Sequence, residues 1–271
     1  MLSGITIGQF FPGDSLLHRM DPRMKLVLTF GYIVAVFVPQ NWVGLGIAIA
    51  FLFVSIALSQ LPVRLIWKSV KPILPLIIFT SFINIFYVKG EVVLVDWWII
   101  HITLQGLINS LFIAIRILCL IAGSSLLTYT TSPTALTDAL ERLMKPLKVL
   151  HVNVHELAMM MTIALRFIPT LIEETDKIMS AQKARGADME SGSLLQRIRA
   201  LIPILIPLFV SSFRRAYELA MAMECRCYRG GEGRTRMKQL HLHQRDIGSL
   251  VIFLLMLGVV IALNFLVPKA L

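Results

Sequence analysis

Hydrophobic positions in this chain gather into long blocks, and charged positions, Arg116 apart, lie outside the blocks, at their edges and in one stretch between residues 132 and 245. The first block runs from Leu26 to Val38, breaks at Pro39-Gln40-Asn41, and resumes from Trp42 to Leu58. Each half is shorter than the roughly 20 residues that carry a helix across a bilayer, and the two together are far too long for one helix. The pattern therefore predicts two short or tilted spans with an uncharged outer turn beside Trp42. A third span is expected from Pro72 to Val88, interrupted by Pro75, a fourth from Thr103 to Tyr129, and a fifth from Ile247 to Val267.

Charge fixes the expected sidedness. Arg64, Lys68 and Lys71 lie in a connection expected to be a cytoplasmic loop, whereas Lys89, Glu91 and Asp96, with Trp97 and Trp98 at interface depth, belong to a weakly charged outer loop. Residues 132 to 245 hold 17 Lys/Arg against 11 Asp/Glu, a net +6, which marks that region as cytoplasmic. Five spans with the N-terminus inside satisfy both the charges and the parity. The expected organisation is a four-span membrane part (1–131), a cytoplasmic region of long amphipathic helices (132–245) and a final span (246–271).

Two stretches in the 132–245 region imitate spans. Leu157 to Leu165 is expected to stop at Arg166 and Pro169; Ala200 to Phe213 contains Pro203 and Pro207 between Arg197, Arg199 and Arg214, Arg215. Neither is expected to cross a bilayer comfortably, and both suit interfacial or buried amphipathic helices, apolar at the start and charged at the end.

Composition narrows the class further. Of the 271 residues 56% are hydrophobic and mean hydropathy is +0.76, which excludes an ordinary soluble domain and indicates an all-α polytopic membrane protein. The net charge of +10 is explained by positive-inside bias, with no nucleic-acid-binding module to account for it. Three cysteines, Cys119, Cys225 and Cys227, are too few for a disulfide framework and are expected to be free thiols. Asp14, His18, Arg19, Asp21 and Arg23 precede any apolar run, so insertion is expected through the first internal span and not through a cleaved signal peptide.

Two arginines stand out in the cytoplasmic region, each ending a long helix-like stretch. They are Arg185, in Ala181-Gln182-Lys183-Ala184-Arg185-Gly186, and Arg226, in Ala222-Met223-Glu224-Cys225-Arg226-Cys227. A helix C-terminus leaves carbonyls unpaired and partial negative charge, so an arginine there is locally stabilised while its guanidinium reaches outward for a carboxylate. Gly186 suits the left-handed stop after the first, with Ser191 and Gly192 in the loop beyond. After the second comes a glycine-rich basic segment starting at Tyr228-Arg229-Gly230-Gly231, which lacks the Gly-Lys-Ser/Thr ending and preceding strand of a phosphate loop.

Other polar residues carry less. Thr131 or Ser132 is expected to cap a short helix with Pro133 in its first turn. Arg116 sits near the middle of the fourth span, where a charge is expensive without a partner; it is a candidate functional residue or an interhelical lock. His151, His155 and Glu156 have helical spacing but complete no known metal site, Cys225 and Cys227 are one residue apart and not at knuckle spacing, and no nucleophile set is present, so no metal, cofactor or catalysis is expected. The Met159-Met160-Met161 cluster reads as adaptable packing.

Taken together these segments resemble the transmembrane T component of energy-coupling factor (ECF) transporters, modular ATP-driven importers of vitamins and trace metals. The resemblance runs through Gly8-Gln9, Pro12 to Ser15, His18 to Arg23, Lys25, Arg116, Leu127 to Pro133, Leu165 to Pro169, Ala181 to Gly186, Ala222 to Glu224 and Tyr228 to Gly231. It implies a multi-pass protein of a prokaryotic cell membrane. It further implies that Ala184-Arg185-Gly186 and Cys225-Arg226-Cys227 end coupling helices that dock on two ATP-binding cassette subunits, expected to be non-identical, with Gln182, Glu224, Tyr228 and Arg229 in support. A small membrane-embedded S component would hold the substrate, and ATP would be bound by the ATPases alone. The cysteines around Arg226 depart from the family's frequent Ala-Arg-Gly, which puts the cap geometry there in question. The competing readings are a dedicated cobalt or nickel permease subunit, and a self-sufficient secondary transporter, for which intramembrane acids are missing.

Overall fold

In the computed structural model, residues 10–87, 93–97, 100–150, 153–187, 193–231 and 240–266 are described. The paired apolar blocks become α1 (Pro22–Phe37) and α2 (Trp42–Ser59). Asp21 caps α1 by accepting from the Arg23 amide, and Asn41 caps α2 by accepting from the Gly44 amide at 2.8 Å. Asn41 also donates to the Leu263 carbonyl of α9 (Gln244–Leu266) at 2.9 Å, so the Pro39-Gln40-Asn41 break is tied to a distant helix.

The expected loop carrying Arg64, Lys68 and Lys71 is instead α3 (Val63–Val70), running through a short 3₁₀ turn into α4 (Leu74–Tyr87). The reason is amphipathicity: Ile66 and Val70 are buried while Arg64 and Lys68 stay exposed. The outer connection also differs from the expected loop. β1 (Val93–Trp97) pairs antiparallel with β2 (Ile100–Thr103), Val95 opposite Ile102 and Trp97 opposite Ile100, a pairing that β-branched and aromatic residues favour. Lys89, Glu91 and Trp98 of that connection lie outside the described residues.

Thr103 then caps α5 (Leu104–Thr130), and Ser132, not Thr131, caps α6 (Pro133–Leu143), accepting from the Ala135 amide with Pro133 at the first helical position. A 3₁₀ segment, Lys145–Leu150, leads to α7 (Val154–Ala184) and α8 (Leu194–Cys225). These two overturn the expected stops. α7 continues for 31 residues through Arg166 and Pro169, and α8 for 32 residues through Pro203 and Pro207. An interior proline removes one intrahelical bond at about 3 kcal/mol, which a helix of this length absorbs, and its φ is already helical.

Six helical stretches among the described residues are long and apolar enough to cross a membrane by length and composition: Trp42–Ser59, Val63–Phe86, Leu104–Thr130, Val154–Ala184, Ile198–Cys225 and Gln244–Leu266. Four coincide with expected spans, whereas α1, with 16 residues, falls below that length, and α7 and α8 join the set. The protein is an all-α polytopic membrane protein.

The chain divides into two compact units, one built from Gln9–Ala139 and Gln239–Leu271, the other from Leu140–Lys238. The core of the first joins α1, α2, α5 and α9 through Tyr32, Val36, Ala48, Leu126, Phe253 and Val260. Gly123 permits the approach of α1 to α5, because a Cβ there would lie 2.7 Å from the Tyr32 ring. At one end of this unit Lys25 donates to the carbonyls of His18 and Thr130, and Asp246 accepts the Asp21 amide, so α1, α5 and α9 start or finish at a common polar layer.

Candidate functional site

The second unit carries the two helix-ending arginines, and their backbones are superposable in kind. At the end of α7, Arg185 is the C-cap with φ −84°, the Gly186 amide bonds the Lys183 carbonyl at 3.0 Å, and the Ala187 amide bonds the Gln182 carbonyl at 3.0 Å. At the end of α8, Arg226 is the C-cap with φ −93°, Cys227 N–H bonds the Glu224 carbonyl at 2.8 Å, and Tyr228 N–H bonds the Met223 carbonyl at 3.0 Å. Both sets of bonds form the Schellman motif, which requires a left-handed residue just after the cap. Gly186 supplies it with φ 84°, and Cys227 supplies it with φ 55°.

This settles the geometry left open by the cysteine-flanked sequence. Arg185 and Arg226 occupy the same position in the same cap, with Ala184 and Cys225 before them and Gly186 and Cys227 after them. Ala184, Arg185, Gly186, Cys225, Arg226 and Cys227 are all exposed. Neither guanidinium has a hydrogen bond or ion pair among the described residues, so both point at solvent with their forks free. Of the supporting residues, Gln182 and Glu224 lend carbonyls to the two caps, Tyr228 lends an amide, and Arg229 is exposed.

A contact between the helices relates the two ends. Glu174 on α7 accepts from Arg215 Nη2 of α8 at 2.7 Å and from the Ser211 hydroxyl one turn earlier on α8. Glu174 precedes Arg185 by eleven residues and Arg215 precedes Arg226 by eleven, so each arginine ends an arm of about 16 Å measured from the shared clamp. The nine steps from Arg185 to Leu194 reach at most about 32 Å, which forces α8 to run back from the Arg185 end. The two arms thus diverge from the clamp. Sequence reasoning placed Glu174 and Arg215 only on polar helix faces; the equal spacing to the two arginines was the signal that relates them.

The other sequence candidates make contacts within their own units. Arg116 donates to the Pro39 carbonyl at 2.8 Å and lies over the rings of Phe112 (4.8 Å) and Phe37 (5.7 Å), so it joins α5 to the α1–α2 turn. His155 Nδ1 lies 3.1 Å from Glu141, linking α7 to α6, while His151 is outside the described residues. His243 Nδ1 bonds the His241 carbonyl. Arg23 forms a bidentate pair with Asp21 and also reaches the Leu240 carbonyl; the hydrogen bond to Asp21 holds its guanidinium above the usual range. Cys119 is a buried free thiol, Cys225 and Cys227 exposed ones.

The fold and this pair of tips define a class: polytopic helical membrane proteins that present two matched basic helix ends. Within that class, the family model described as "Cobalt transport protein" (CbiQ) matches residues 13–237. Relatives named "Energy-coupling factor transporter transmembrane protein EcfT" are 52% identical in Ruminiclostridium cellulolyticum, covering 94% of this chain and 96% of that protein, and 54% identical in Clostridium kluyveri, covering 91% and 92%. A third, from Acidaminococcus fermentans, is 49% identical over 98% of both chains. The chain belongs to the CbiQ family, that of the energy-coupling transmembrane proteins of ECF transporters. It is a membrane transport subunit, multi-pass in the cell membrane.

Proposed function

We propose that this chain couples ATP hydrolysis by two cassette ATPases to substrate import through an S component, with Arg185 and Arg226 as the two docking points. The observation that carries this reading is the matched geometry of the tips: the same Schellman cap, exposed guanidiniums without a partner among the described residues, and equal arms from one shared clamp, which supply one docking end for each of two subunits. A guanidinium fork entering a carboxylate-lined groove forms a directional, bidentate contact able to transmit displacement.

In this reading residues 1–131 and 246–271 form the membrane part, and 132–245 the coupling region. The first halves of α7 and α8, with exposed Met160, Ile198, Leu201 and Phe209, face lipid or the S component, while the charged second halves stand in the cytoplasm. The chain binds no cofactor and catalyses no reaction; ATP belongs to the partner ATPases. The test is reconstitution of the complex in vesicles. Arg185→Ala with Arg226→Ala is expected to abolish ATP-driven uptake with insertion intact, and normal uptake by that double variant would overturn the reading.

A dedicated cobalt permease module is the second reading, favoured by the description of the matching family. It predicts that uptake of Co²⁺ by the reconstituted complex exceeds uptake of any vitamin. Identification of the small membrane protein that copurifies decides between the two.

A further inference from the structure

Among polar contacts in the second unit, one joins the two long helices far from either tip. Glu174 is 22% exposed and Arg215 30% exposed, so the pair is shielded on most sides, and both Glu174 oxygens are engaged, one by Ser211 and one by Arg215. A carboxylate held by two donors on successive turns of one helix resists rotation as well as separation, because turning α7 about its axis breaks one bond while stretching the other.

We infer that Glu174, gripped by Ser211 and Arg215, is the pivot that fixes the distance and angle between the two docking arginines, so that displacement at one tip is delivered to the other. The inference rests on the docking role proposed above and assigns Glu174, Ser211 and Arg215 as positioning residues that touch neither partner nor substrate. The equal arms give the arrangement its mechanical sense. A pivot midway between the tips divides a movement of either ATPase evenly, whereas two helices joined only by apolar packing can slide along one another.

The experiment uses the full chain in lipid nanodiscs, with spin labels carried on unnatural amino acids at Ser180 and Met221, both exposed and each six residues beyond the clamp. The native chain is expected to give one narrow distance distribution. Glu174→Ala is expected to broaden it, and combining Glu174→Arg with Arg215→Glu is expected to narrow it again. Ser211→Ala and Arg215→Gln, which remove one donor each, serve as milder variants should Glu174→Ala fail to insert. In the reconstituted complex, the clamp variants are expected to retain their ATPases while substrate imported per ATP hydrolysed falls about fivefold, the scale of one partly exposed ion pair. An unchanged distance distribution in Glu174→Ala, or an unchanged import ratio, would overturn the pivot. Failure of the native chain to retain ATPases would instead overturn the docking role, and the distance measurement would still decide whether the clamp sets the tip geometry.

Discussion

Gly186 and Cys227 occupy the same position in two copies of the same cap, both with positive φ (84° and 55°), although only one of them is a glycine. A side chain in the left-handed region costs about 1–2 kcal/mol, so the second tip carries strain that the first lacks. Cys227→Gly should raise the thermal midpoint of the purified chain slightly, since the relief of about 1–2 kcal/mol is partly offset by about 0.5–1 kcal/mol of added chain entropy. Gly186→Ala should lower it by the equivalent of about 1 kcal/mol. A Cβ at Gly186 meets nothing within 4 Å, so that loss is backbone strain alone.

Replacement of the fork by a point charge separates charge from geometry. Arg185→Lys and Arg226→Lys keep the cation but cannot form two parallel bonds to one carboxylate. Each should weaken ATPase retention by about tenfold, the equivalent of about 1.4 kcal/mol, in a titration of ATPase onto the immobilised chain. Retention equal to the native chain would mean that charge alone recruits the partner.

Arg116→Met tests a lock against a functional charge. The native side chain donates to the Pro39 carbonyl and stacks on two phenylalanines, so its loss should destabilise the chain by about 1–3 kcal/mol while uptake per intact complex stays unchanged. Lost uptake at an unchanged melting point would place Arg116 in the transport path instead.

Asp246→Asn tests the joint between the first and last helices. Asp246 is 1% exposed and accepts two backbone N–H groups, those of Asp21 at 3.1 Å and His243 at 2.8 Å. An amide can accept only through its one oxygen, so one of these donors loses its partner, at about 1–3 kcal/mol where it is the buried Asp21 amide. Limited proteolysis should cut near the start of α9 faster in the variant.

The exposed thiols offer an address. Cysteine crosslinking from Cys225 or Cys227 should capture a single ATPase subunit, because each arginine tip is proposed to serve its own partner and only the second carries cysteines. Capture of both ATPases in equal amounts would exclude that assignment.

Short-range chemistry made much of this protein legible along the chain. Pro39-Gln40-Asn41 marked the α1–α2 break, Ser132-Pro133 the start of α6, and Gly186 the end of α7, because a missing amide, a capping hydroxyl or a missing Cβ acts within a turn of itself. Long apolar blocks determined the membrane class for the same local reason. The extent of α7 and α8 was not legible, since Pro169, Pro203 and Pro207 break helices only when the surrounding turns cannot compensate. Nor does any local rule say that Cys227 will adopt a left-handed φ. Only the tertiary structure decided that Lys25 meets the Thr130 carbonyl and that Glu174 meets Ser211 and Arg215. Those contacts join residues far apart in the chain, and their partners are selected by how whole helices pack, which no window of sequence contains.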